Sequence, residues 1–175
     1  MGTDKAALPR GGTTLLGHVL AVLAEAVAGP LVVVGAADTG RTLPPDAAAR
    51  AWGARCRIVH DPMPGRGPLQ GLATGLAAAA EGGASTAFVA AVDLPHLHAP
   101  FVRAVLAHRV APVEVALPVL HGHRQPLLAA YATDLAARAD ALLGRGEHRP
   151  GALFAASRVR ELDAATLLAD PSLAA

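Results

Sequence analysis

The chain has 175 residues, a formal net charge of +1, 53% hydrophobic, 17% charged and only 3% aromatic residues. That length suits a single domain over residues 1–175 with one core of Ala, Val and Leu, and a chain this apolar and weakly charged is not disordered. Balanced charge offers no basic face to nucleic acid, and the single Cys56 excludes an intrachain disulfide and fits a reducing compartment. The most apolar stretch, Leu15 to Ala37, carries His18 and Glu25 and is broken by Gly29-Pro30, so no membrane span is expected. No apolar signal-peptide core precedes it, and a cytoplasmic protein is expected.

In chain order, Thr13 or Thr14 caps a helix running to about Ala28, with Leu16, Val19, Leu20, Leu23 and Val27 at helical spacing. Gly29-Pro30 ends it, and the β-branched run Leu31 to Gly35 reads as a strand buried on both faces. A loop over Asp38 to Pro45 leads to a short helix, Asp46 to Trp52. Arg57 to His60 is a second strand closing at Asp61, followed by a Pro/Gly loop and a helix from Leu69 to Ala80. Thr86 to Val92 is the clearest buried strand, with Asp93 at its C-terminal end. Further on come a helix (Pro100 to Arg109), strands at Val113 to Leu120 and Pro126 to Tyr131, and a helix from Asp134 to Leu143. Val159 to Leu162 is a last strand before a short helical tail. Strands alternating with helices predict βαβ units, a largely parallel sheet, and ligands beyond the carboxyl ends of the strands.

Several residues could carry chemistry there. The loop from Asp61 to Gly71 follows a strand and opens a helix, where backbone N–H groups favour an anion or a polar base edge. Its glycines are spaced Gly-x-Gly-x-x-x-Gly, one residue off the dinucleotide fingerprint, and Pro68 removes a donor, so a Rossmann dehydrogenase fits poorly. A tight strand-to-helix turn is the plainer reading. Asp93 ends an apolar strand, where a carboxylate caps the next turn or binds a cation; one carboxylate suffices for Mg²⁺ when substrate phosphates and water fill the other positions. Lys5 is the only lysine among 15 basic residues, and a lysine near phosphates offsets charge in phosphoryl transfer. The pairs His96/His98 and His121/His123 lack a Cys or carboxylate at zinc spacing, and no Gly-x-Ser-x-Gly elbow exists.

Taken in order, these fragments resemble one family. Met1-Gly2-Thr3-Asp4-Lys5-Ala6 resembles the second half of the signature Leu-Ala-Gly-Gly…Arg-Met-Gly-x-Asp-Lys-Ala of the MobA-like nucleotidyltransferases. Gly67-Pro68-Leu69-Gln70-Gly71-Leu72, Val92-Asp93-Leu94-Pro95 and Gln125-Pro126-Leu127 resemble its later segments. The resemblance implies a three-layer α/β/α, Rossmann-like nucleotidyltransferase fold with a mostly parallel sheet. It implies GMP transfer from GTP to molybdopterin, with Mg²⁺ and release of pyrophosphate. By the same resemblance, Lys5 and Asp93 are catalytic, and Asp93 holds the metal. Lys5, Asp61, Gly67, Pro68, Leu69 and Asp93 bound the nucleotide, and Gln125 and Pro126 lie toward the acceptor. Contacts with other molybdenum cofactor biosynthesis proteins or target apoenzymes follow as expectations. Relative to the family the chain starts inside the signature, with the first strand missing, and ends before a second acidic stretch. A CTP-using or other-acceptor relative, or a non-catalytic nucleotide-binding module lacking the Gly-rich phosphate loop, stays open at this point.

Overall fold

In the computed structural model, which describes residues 5–10, 12–36, 43, 50, 52–63 and 65–173, each main helix begins where a local signal starts it. A short hairpin, β1 (Pro9–Arg10) and β2 (Thr13–Thr14), feeds helix α1 (Leu15–Ala26). Thr14 caps α1: its hydroxyl accepts from Gly17 N at 3.1 Å. At the other end the Arg55 guanidinium donates to Ala24 O (3.2 Å), Val27 O (2.9 Å) and Gly29 O (2.8 Å), a cation where the helix carbonyls lack partners. Strands β3 (Leu31–Ala36) and β4 (Cys56–Asp61) pair in parallel, Leu31 opposite Cys56 and Ala36 opposite Asp61. The short helix expected over Asp46 to Trp52 lies largely outside the described residues.

Helix α2 (Pro68–Glu81) starts on Pro68, whose missing N–H costs nothing in a first turn, and crosses from β4 to β5 (Thr86–Ala90). Helix α3 (Ala99–Ala107) is capped by His98, whose Nδ1 accepts from Phe101 N at 3.3 Å. Strand β6 (Val115–Leu120) turns at His121 and Gly122, both at positive φ (51° and 77°), into the short β7 (His123–Arg124). Strand β8 (Leu128–Ala132) lies between β5 and β6, antiparallel to both, and β9 (Val159–Leu162) runs parallel to β6. In this second sheet β5, β6 and β9 therefore share one direction, with β8 and β7 reversed.

Helices cover both faces. On one side α2, α4 (Leu135–Leu143) and α5 (Pro150–Ala155) bury Leu69, Leu76, Leu135 and Leu153 against Val115, Leu117 and Tyr131. On the other, α3 and α6 (Ala164–Leu168) bury Val105 and Leu167 against Ala116, Ala130 and Leu162, and α1 packs on α3 through Val19 and Val102. Alternate residues of β6 and β8 thus serve opposite faces, as a strand's period of two requires. This is the three-layer α/β/α arrangement.

One expectation is corrected. The run Thr86 to Val92 reads as a fully buried strand, yet β5 stops at Ala90 and each of its five residues is only half-buried. Its edge away from β8 pairs with no described strand and faces an apolar slot.

Buried Glu114 ties the loop before β6 to β9. Its carboxylate accepts from Arg158 N at 2.8 Å and from Arg138 Nη2 at 3.2 Å. The Arg158 backbone bond, followed by the Arg138 guanidinium, holds its carboxyl below the ordinary value of 4.5. A depressed carboxyl stabilises the fold above its unfolded pKa, and this is lost as pH falls from there through the folded value. Glu114→Gln should therefore melt below wild type at neutral pH, with the gap narrowing as pH drops below about 4.5. Thermal melts across that range read it; a gap constant with pH would remove Glu114 from the acid response.

Candidate functional site

Three segments meet at one edge of the fold. At the carboxyl end of β4, Asp61 Oδ1 accepts from Met63 N at 2.9 Å, folding the chain back toward α2. Gly67 and Pro68 then start α2 with its first N–H groups at this edge. At the end of β5, Ala91 N donates to Leu127 O at 2.8 Å, which extends the β5–β8 pairing beyond Ala90 and Leu128. That antiparallel register carries Pro126 and Gln125 alongside Val92 and Asp93. Asp93, Leu127 and Pro68 line one common cavity. Asp61, Gly67, Pro68, Asp93, Gln125 and Pro126 thus sit on the edge where an α/β sheet presents its ligand sites.

Two other predicted residues stand differently. Leu69 is fully buried in the core against Leu72, Leu76 and Tyr131, and its N–H points to His148 O at 3.4 Å. Its side chain faces the core rather than a ligand. Lys5 opens a 3-10 turn, Lys5–Ala7, and its side chain lies outside the described residues. Gln125 is held in its bend: its N donates to Pro118 O (2.9 Å) and its Nε2 to His123 O (3.0 Å). Pro126 O accepts from the buried Tyr131 hydroxyl at 2.7 Å, and burial pushes that phenol far above its ordinary range.

A neighbouring cavity of about 590 Å³ was not foreseen from the sequence. Gly65, Arg66, Gly67 and Pro68 form one wall and Gly144, Gly146, His148 and Arg149 the other. Arg66, His148 and Arg149 have no ion-pair partner among the described residues. The available signal was the Gly/Arg-rich loop between α4 and α5, which no periodicity explains. Because Pro68 borders both cavities, cationic groups and the start of α2 lie beside the space that Asp93 lines.

The junction depends on Gly67. Its φ is +79°, and a Cβ there would stand 3.2 Å from His148 O. Gly67→Ala should cost about 1–3 kcal/mol and push the two cavity walls apart. Chemical denaturation measures the loss; a variant as stable as wild type would contradict this packing.

As a cation site, Asp93 stands without a protein cage. No group of three or more His, Cys, Asp or Glu among the described residues could hold a metal ion. A single carboxylate beside a phosphate-sized cationic cavity fits Mg²⁺ bound jointly with substrate phosphates, which retains most of its water. The His-x-His pairs do not build a site either, since His98 Nδ1 is spent on the α3 cap. No described helix is long and apolar enough to cross a membrane.

Comparison with known proteins agrees with this geometry. Residues 1–162 match the MobA-like NTP transferase domain. The chain belongs to that family. As a MobA-like member it is a nucleotidyltransferase. A probable molybdenum cofactor guanylyltransferase of Mycobacterium tuberculosis (strain ATCC 25618 / H37Rv) is 39% identical over 160 residues, 90% of this chain and 74% of that protein. Among solved structures, molybdopterin-guanine dinucleotide biosynthesis protein A from Archaeoglobus fulgidus superposes with a TM-score of 0.69 at 21% identity, over 98% of this chain and 82% of that one. A Mycobacterium tuberculosis protein solved in complex with manganese gives 0.58 at 18% identity, over 93% and 82%. These two share the MobA-like fold.

Proposed function

We propose that this chain transfers GMP from GTP to the terminal phosphate of molybdopterin, releasing pyrophosphate. The observation that carries this reading is the convergence of Asp93, the Gly67–Pro68 helix start and the Gln125–Pro126 bend at one sheet edge, beside an unpaired Arg66/His148/Arg149 cavity. The curated relative bears the name of this activity.

In the reaction, an acceptor phosphate oxygen attacks the α-phosphorus of GTP. A new phosphoanhydride forms, the Pα–O–Pβ bond breaks, and pyrophosphate leaves with that electron pair. No protein nucleophile is required, so catalysis is alignment and charge neutralisation. Asp93 would hold Mg²⁺, which supplies charge stabilisation at the nucleotide phosphates; a structural neighbour solved with manganese accords with a divalent ion. Lys5 would offset phosphate charge in the transition state. Asp61, Gly67 and Pro68 would bound the nucleotide, with Leu69 supporting them from the core. Gln125 and Pro126 would face the acceptor. The setting expected for these substrates is the cytoplasm.

Pyrophosphate release from GTP and from CTP, with Mg²⁺ and molybdopterin, tests the reading. Release with GTP well above CTP is expected. Preference for CTP would indicate the cytidylyl relative, and nucleotide binding without release would indicate a binding module.

A further inference from the structure

The two sheets do not join. β3 pairs only with β4 and β5 only with β8, so each has one ladder edge without a described strand. Both edges line the same apolar slot, a cavity of about 590 Å³. Its floor is α2 and its roof is α1 with Leu106 of α3. Polar backbone edges in an apolar interior are costly unless paired, and water cannot pair them without wetting Leu16, Leu20, Val33 and Leu72. Half-burial of all of β5 is the same fact seen from one wall.

The shape of the slot specifies its occupant. α2 turns Gly71, Gly75 and Ala79 toward it, one helical turn apart. A Cβ at Gly75 would stand 3.3 Å from Val34, whereas one at Gly71 would meet nothing within 4 Å. The space over this stripe therefore suits an extended backbone. The β4–α2–β5 connection is a strand–helix–strand crossover, which sets β5 parallel to β4 and β3. A strand between them finds parallel ladders on both sides.

The turn at Lys5–Ala7 shows how such a strand would connect. Ala6 is buried against Leu16, Leu20, Leu31 and Val33, and all four also line the slot. The chain spans about three quarters of the curated relative, 74% of its length.

We propose that the slot is the seat of a β-strand: an uncharged, apolar segment of about six residues, joined ahead of residue 1 and running parallel to β3 and β5. It matches β3 and β4, which have six residues each. Its insertion makes one continuous sheet of the two. Because Val92 and Asp93 also line the slot, insertion fixes the strand end that carries Asp93.

Amide hydrogen exchange tests this without reference to turnover. The 175-residue chain is compared with the same chain extended ahead of Met1 by Ala-Val-Leu-Val-Leu-Ala-Gly-Ser, and by a control extension alternating Lys and Asp. The apolar extension should slow exchange roughly tenfold or more in both β3 and β5, leave β9 unchanged and keep the protein monomeric. The control should slow neither. Gly71→Leu fills the slot from α2 and should cancel the slowing, while the unextended variant melts no lower than the unextended wild type. Equal protection by both extensions, no slowing in β3 and β5, or slowing only on dimerisation would overturn the proposal. The last outcome would make a second copy the occupant.

Discussion

Asp93→Asn should lower metal-dependent guanylyl transfer roughly 10³-fold, a loss of about 4 kcal/mol of transition-state stabilisation. The substitution keeps the size of the side chain and its capacity to accept a hydrogen bond, and removes only the charge. No cluster of three ligands among the described residues stands ready to replace it. The metal would then be held by substrate phosphates alone, and its position beside the α-phosphorus would be lost. Stability should change little, because Asp93 lies beyond the end of β5 rather than in a packed core. The decisive combination is turnover against thermal melting. Lost turnover with an unchanged melt supports the metal role; full turnover would remove Asp93 from the chemistry.

Leu69→Ala should destabilise the fold by about 2–5 kcal/mol. Leu69 is 0% exposed, packed among α2, α4 and β8, and its neighbours have no evident way to close the space. Denaturant unfolding reads the loss directly. The second half of this prediction separates two roles for the residue. If Leu69 supports the helix start from the core, KM for GTP should stay within about threefold once activity is normalised to the folded fraction. A large KM change in fully folded protein would instead make Leu69 a direct ligand contact.

Much of the fold was legible because local signals and periodicity agreed. Thr14 before a 3.6-period apolar stripe announces α1, and Pro68 at the first position of α2 does the same. Direction was not legible: Leu128 to Ala132 is as apolar as its neighbours, and nothing local says that β8 runs against β5 and β6. Helix α5 escaped notice because it has six residues with Gly151 inside it. The half-burial of β5 could not be foreseen from its own residues, since it is set by what pairs with its other edge.

The site was legible to the extent that each residue interrupts a pattern. Asp61 and Asp93 are carboxylates ending apolar runs, and Gly67-Pro68 breaks the chain between strand and helix. Leu69 shares their motif, but its side chain follows the apolar stripe of α2 into the core. Arg66 and Arg149 are far apart in sequence, and only the packing of α2 against α4 and α5 brings them to one cavity. An arginine's local sequence carries no sign of such a meeting.

The most direct measurement follows the phosphorus. The protein is incubated with Mg²⁺, molybdopterin and GTP labelled in either the α- or the γ-phosphate, and the acceptor is separated and counted. Guanylyl transfer predicts label in the acceptor only from α-labelled GTP, with γ-label recovered as pyrophosphate. Acceptor labelled from the γ-position, or α-label remaining in free guanine nucleotide, would contradict it.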